Sequence, residues 1–136
     1  RRKGLRRAVV ECLLDAVERG GRLVLAEHEA TRVVNVSSQL HSSGHIDWDN
    51  LQSERGAYNG RQVYCNTKLM NVLFTNELAW QLKGTHVTAN ALHPGVLDTN
   101  LYRERRGTYT VLNPSAEHGA DTSLYVATSP AVEGVT

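Results

Sequence analysis

The sequence is poor in several residue types, and each shortage removes a class of protein. Two cysteines, Cys12 and Cys65, are too few for a disulfide framework. With no secretory signal either, the default expectation is a reducing compartment: the cytoplasm or the cytosolic face of a membrane. Only three prolines occur in 136 residues, with no low-complexity tract, so collagen-like and Pro-rich chains are excluded. No apolar run approaches the ~20 residues a membrane helix needs, so no membrane span is expected. Neither sign of charge dominates: 15 Lys+Arg against 14 Asp+Glu leave a formal +1, which argues against a global attraction to nucleic acid. The basic start (Arg1, Arg2, Lys3, Arg6, Arg7) has no interleaved aromatic and reads as a solvated terminus. The chain begins without Met, so it reads as a fragment, and its length allows at most one domain.

What is present is a regular alternation of patterns. Val9, Val10, Leu13, Leu14 and Val17 predict an amphipathic helix over 8–19, closed by Gly20-Gly21. Arg32-Val33-Val34-Asn35-Val36-Ser37-Ser38 is β-branched without polar alternation and predicts a strand buried on both faces. A long polar loop follows from Gln39 to Asn59, around Ile46, Trp48 and Leu51. From about Arg61 to Leu82 a helix is predicted, with Met70, Phe74, Leu78 and Leu82 on one stripe. Leu69, Val72, Leu73 and Ala79 widen that stripe, so the helix should bury two sides. His86 to Leu92 predicts a second buried strand, and Ser115 to about Thr128 a last helix with Ala116, Ala120, Leu124 and Ala127 inward. Strand, helix, strand, helix at these lengths is α/β grammar: part of a doubly wound parallel sheet.

Tyr64 and Lys68 stand four apart in the long helix, hence on one face. An ammonium within a few ångströms of a phenol favours the phenolate and makes the pair usable for proton transfer. Alone, Tyr-x-x-x-Lys is common in helices; its setting gives it weight. Ser38 closes one buried strand, Pro94-Gly95 ends the other, and Thr99 follows. Ligands of parallel sheets bind beyond the carboxyl ends of the strands.

In these residues the chain resembles the short-chain dehydrogenase/reductase family, most closely its retinol-dehydrogenase-like branch. The matching text is Arg32 to Ser38, Tyr64-Cys65-Asn66-Thr67-Lys68-Leu69, Asn71 to Leu78, Val87 to Val96, and Gly119-Ala120 to Val135. It covers Thr31 to Thr136, so residues 31–136 form the C-terminal half of the family domain and residues 1–30 a divergent segment. The resemblance implies Tyr64 as the acid/base, Lys68 as the group that assists it and holds the nicotinamide ribose, and Ser38 rather than Ser37 as the hydroxyl on the substrate oxygen. It places Pro94, Gly95, Val96 and Thr99 along the nicotinamide. It also implies NAD or NADP as cofactor, a small apolar alcohol or carbonyl as substrate (retinoid, steroid or lipid aldehyde), and a homodimer through helix 61–82.

The family's Gly-rich turn, its Asn-Asn-Ala-Gly segment and its helix asparagine have no counterpart here. Two readings follow: part of an NAD(P)-dependent oxidoreductase, or a non-catalytic truncated or decayed member that associates through its long helix. The remaining signals read as structure. His41, His45, His86, His93 and His118 lack the spacing of a metal site. The sequon at Asn35 lies in a predicted buried strand. Cys65 reads as a buried small hydrophobe and Trp80 as packing, while Trp48 in the loop is open to either role. The charged stretch Asn100–Thr110 would cover the substrate.

Overall fold

A computed structural model of the chain describes residues 30–97 and 116–136. The expected helix over 8–19, Thr99 and the Asn100–Thr110 stretch lie outside the described residues.

Two strands, β1 (Thr31–Val36) and β2 (Val87–Leu92), pair in parallel, with Thr31 opposite Val87 and Val36 opposite Leu92. The helix between them, α1 (Gly60–Gln81), makes the βαβ connection. Asn59 starts it, its side-chain oxygen accepting the Gln62 N–H at 3.1 Å. Gly84, at φ +90°, turns the chain away after its end. A second helix, α2 (Ala116–Thr128), follows β2.

The period-two alternation of a strand puts one helix on each face of the sheet. The odd residues of β1 meet α1: Asn35 donates to Thr75 Oγ1 at 2.9 Å, and the next odd residue, Ser37, donates its hydroxyl to the Lys68 carbonyl at 2.8 Å. The even residue Arg32 reaches the other way, donating to the carbonyls of Val126 (3.2 Å) and Ser129 (2.8 Å). A guanidinium at those carbonyls satisfies acceptors that a helix end leaves open and opposes its negative dipole end.

Four expectations are corrected. β1 is half-buried rather than sealed on both faces, and Val36 is 45% exposed. It also ends at Val36, because Ser38 leaves the ladder to cap a 3-10 helix (Gln39–Ser43) that opens the long loop, accepting from Leu40 N at 3.2 Å. The inward residues of α2 are Gly119, Ser123 and Val126, while Ala120 and Ala127 are exposed and Leu124 is 58% exposed. Close approach decides this face: a Cβ on Gly119 would overlap the Leu97 side chain. Trp80, expected in packing, is 71% exposed.

The fully buried part of α1 is likewise narrower than its apolar residues suggest. Cys65 and Thr75 (each 2% exposed) and Leu78 are buried against the sheet with Ala89 and Leu92, whereas Met70, Phe74 and Leu82 are half-buried. Thr75 earns its place by hydrogen bonding: it accepts from Asn35 and donates to the Asn71 carbonyl at 2.7 Å. That same bond occupies the Asn35 amide of the sequon.

Candidate active site

The carboxyl ends of the two strands and the first turns of α1 meet at one place. The ladder continues one step past β1, where the Ser37 N–H donates to the Leu92 carbonyl at 2.7 Å. Ser37 and Ser38 are therefore beside the point where β2 gives way to His93-Pro94-Gly95. Both serines are buried, and they differ in what their hydroxyls do. Ser37 spends its proton on the Lys68 carbonyl. Ser38 Oγ accepts from Leu40 N and donates to no group among the described residues. The hydroxyl proton of the second serine is thus uncommitted among the described residues.

Lys68 is tied to the strand end twice. Its carbonyl takes the Ser37 hydroxyl, and its Nζ donates to the Val36 carbonyl at 3.1 Å. That nitrogen lies 5.6 Å from the centre of the Tyr64 ring, within cation–π range. With one N–H engaged, the ammonium retains two donors. Tyr64 is half-buried, and its hydroxyl makes no hydrogen bond among the described residues.

Ser37, Ser38, His41 and His93 share a cavity of about 320 Å³ with residues of α1 and β2. Tyr64 and Lys68 do not line it, although Lys68 is bonded to the same end of β1. The His41 ring nitrogen Nδ1 donates to the Ser38 carbonyl at 2.7 Å, which fixes the imidazole against the serine's own backbone. His93 Nδ1 is buried without a hydrogen-bond partner among the described residues. An orphaned buried nitrogen is costly and marks a place where a ligand group would be satisfied.

Pro94 and Val96 are half-buried and Gly95 is exposed, at φ +93°. A Cβ on Gly95 would meet nothing within 4 Å, so open space lies beside this turn. That space, the two spare donors of Lys68 and the His93 nitrogen are the open polar features at these strand ends.

The long loop is fastened to the same helix. His45 N donates to Asn66 Oδ1 at 2.8 Å and Gln62 Nε2 to the Ser43 carbonyl at 3.0 Å. Gly44 lies against α1 so closely that a Cβ there would stand 2.6 Å from the Cys65 carbonyl and 2.7 Å from Leu69 Cβ. Cys65 itself is buried, as expected of a small hydrophobe. Trp48 is 45% exposed on this loop.

Asn71 is a neighbour of the site that sequence reasoning passed over. Its Nδ2 donates to the same Val36 carbonyl as Lys68, at 3.2 Å. A signal for it exists: Tyr64, Lys68, Asn71 and Thr75 recur at helical spacing and draw a polar stripe along an apolar helix.

Compared with known proteins, the chain matches no family model. Individual relatives do match it. It is 42% identical to human retinol dehydrogenase 14 over 122 residues, which cover 82% of this chain and 36% of that protein. The chain belongs to the short-chain dehydrogenase/reductase family. It is similar, too, to human retinol dehydrogenase 12 (44% identical over 108 residues, 75% of this chain and 34% of that protein). Human retinol dehydrogenase 13 is 51% identical over 73 residues, 54% of this chain and 22% of its own. An uncharacterized protein from Mycobacterium paratuberculosis superposes with a TM-score of 0.58 at 35% identity, over 74% of this chain and 34% of that one. The chain therefore spans about a third of the length of the curated relatives it matches. The fold is part of the family's α/β sheet, with one parallel strand pair and a helix on each face among the described residues. Among the described residues no helix is long and apolar enough to cross a membrane.

Proposed function

We propose that this chain carries the proton-transfer side of an oxidoreductase site that interconverts a small apolar alcohol and its carbonyl, of the retinoid, steroid or lipid-aldehyde type, with NAD or NADP. The observation that supports it most is the double tie of Lys68 to the end of β1, which brings the Lys68–Tyr64 pair to the strand end that Ser38 directly follows. When bound, the reduced nicotinamide supplies a hydride to the carbonyl carbon. Tyr64 gives its hydroxyl proton to the carbonyl oxygen, or takes it back from the alcohol in the reverse direction. Ser38 donates to that same oxygen and holds it in line. Lys68 places positive charge beside the phenolate that Tyr64 becomes, and offers its spare donors to the ribose hydroxyls. Pro94, Gly95, Val96 and Thr99 would line the nicotinamide.

The two serines separate this reading from a purely structural one. Ser38→Ala is expected to lower kcat at least tenfold and to leave the melting temperature nearly unchanged. Ser37→Ala, which removes the hydroxyl on the Lys68 carbonyl, should cost about 1 kcal/mol of stability and less of the rate. Steady-state kinetics and denaturation of both variants check this, and the reverse pattern would move the substrate hydroxyl to Ser37.

We further propose a homodimer through α1, supported by the exposure of Leu73 and Trp80 on that helix. Sedimentation equilibrium should find a dimer that Trp80→Glu converts to monomer. A wild-type monomer at tens of micromolar would refute it.

A further inference from the structure

The Val36 carbonyl is the last acceptor of β1, and it holds two side-chain donors from successive turns of α1: Lys68 Nζ at 3.1 Å and Asn71 Nδ2 at 3.2 Å. A carbonyl oxygen has two lone pairs, so both bonds form together. The two donors differ in what else they have to do. Lys68 carries a charge, has two further donors and stands 5.6 Å from the Tyr64 ring centre. Asn71 makes no other side-chain bond among the described residues. Its backbone is anchored independently, since its own carbonyl accepts the Thr75 hydroxyl at 2.7 Å and Thr75 in turn accepts from Asn35 at 2.9 Å. Asn71 is thus a fixed donor and Lys68 a movable one on a shared oxygen.

We propose that the Val36 carbonyl is the resting anchor of the Lys68 ammonium, and that Asn71 is the positioning residue that lets Lys68 leave it. This rests on the reading of Lys68 as the residue that meets the nicotinamide ribose. When the ammonium swings toward a ribose diol, Asn71 keeps the strand-end carbonyl satisfied, so the swing does not orphan an acceptor. Without Asn71 the same movement would strip the carbonyl of its only side-chain donor. Water reaches this strand end, since Val36 is half-exposed, and limits the effect to a few-fold.

The test compares Asn71→Leu, which removes the donor at similar volume, with Asn71→Gln, which restores an amide. Lys68 mobility is read as the rate of acetylation by acetic anhydride, mapped by peptide mass spectrometry, with exposed Lys83 as internal standard. Asn71→Leu should slow acetylation of Lys68 about threefold while Lys83 is unchanged, and Asn71→Gln should return the rate to within twofold of wild type. In a nicotinamide-fluorescence titration, the Leu variant should weaken NADH or NADPH binding by a similar factor. An unchanged Lys68 rate in the Leu variant overturns the proposal. So does a rise at Lys68 and Lys83 together, which marks a loosened helix. If Asn71→Leu does not fold, Asn71→Ser, whose hydroxyl is too short to reach, is judged by the same criteria. Absence of cofactor binding by the wild type would refute the oxidoreductase reading, while the acetylation rates still decide whether Asn71 governs Lys68.

Discussion

Replacing Tyr64 by Phe is expected to abolish turnover, by at least three orders of magnitude, and to leave the affinity for NADH or NADPH within twofold of wild type. The substitution removes one oxygen. The ring remains, so its packing and its contact with the Lys68 ammonium at 5.6 Å are kept. The hydroxyl makes no hydrogen bond among the described residues, so its loss leaves no partner unsatisfied and the fold should hold its stability. Kinetics and stability therefore separate cleanly: a rate that falls with an unchanged melting curve belongs to chemistry. A Phe variant that keeps more than a tenth of the rate would remove Tyr64 from proton transfer. Steady-state assays paired with a fluorescence titration of the cofactor give both numbers on one preparation.

Gly44→Ala is expected to have the largest effect on stability, a loss of about 3 kcal/mol by chemical denaturation. The backbone here is ordinary (φ −75°, ψ 150°), so alanine meets no conformational penalty and would even gain slightly from a less free unfolded chain. The cost is steric. The new methyl would stand 2.6 Å from the Cys65 carbonyl and 2.7 Å from Leu69 Cβ, atoms of the helix itself that cannot swing aside. Relief requires the loop to lift from α1, which breaks His45 to Asn66 and Gln62 to Ser43. Because Cys65 adjoins Tyr64, the same lift should raise KM. Gly119→Ala serves as the contrast: its methyl meets the Leu97 side chain, which can rotate, and it gains the helix preference of alanine, so the loss should be smaller. Equal losses would show that loop contact with α1 is not what makes Gly44 special.

The strand–helix–strand frame was legible because its signals are local. β-Branched runs, a helical stripe of more than three turns and glycines at the ends need no knowledge of neighbours. The meeting of the end of β1 with the Tyr64–Lys68 helix followed from topology, since a parallel pair with one crossover brings strand ends and helix start together. What was not legible depends on distance across the fold. The inner face of α2 follows its small residues, Gly119 and Ser123, because close approach matters more there than hydrophobicity. Thr75 is more buried than Met70 or Phe74 since a hydrogen bond from the adjacent strand satisfies it. The different roles of Ser37 and Ser38 rest on one carbonyl of α1 lying within reach of the first and not the second. Asn71 and Lys68 meet on a backbone oxygen, and backbone acceptors leave no trace in a pattern of side chains.

Deuterium transfer puts the central assignment to its most direct trial. The chain is incubated with C4-deuterated NADH or NADPH and an apolar aldehyde such as retinal, and the alcohol formed is analysed by mass spectrometry. One deuterium on the carbinol carbon with the wild type, and none above background with Tyr64→Phe, is the predicted result. No labelled alcohol from the wild type, or equal labelling by the Phe variant, would contradict it.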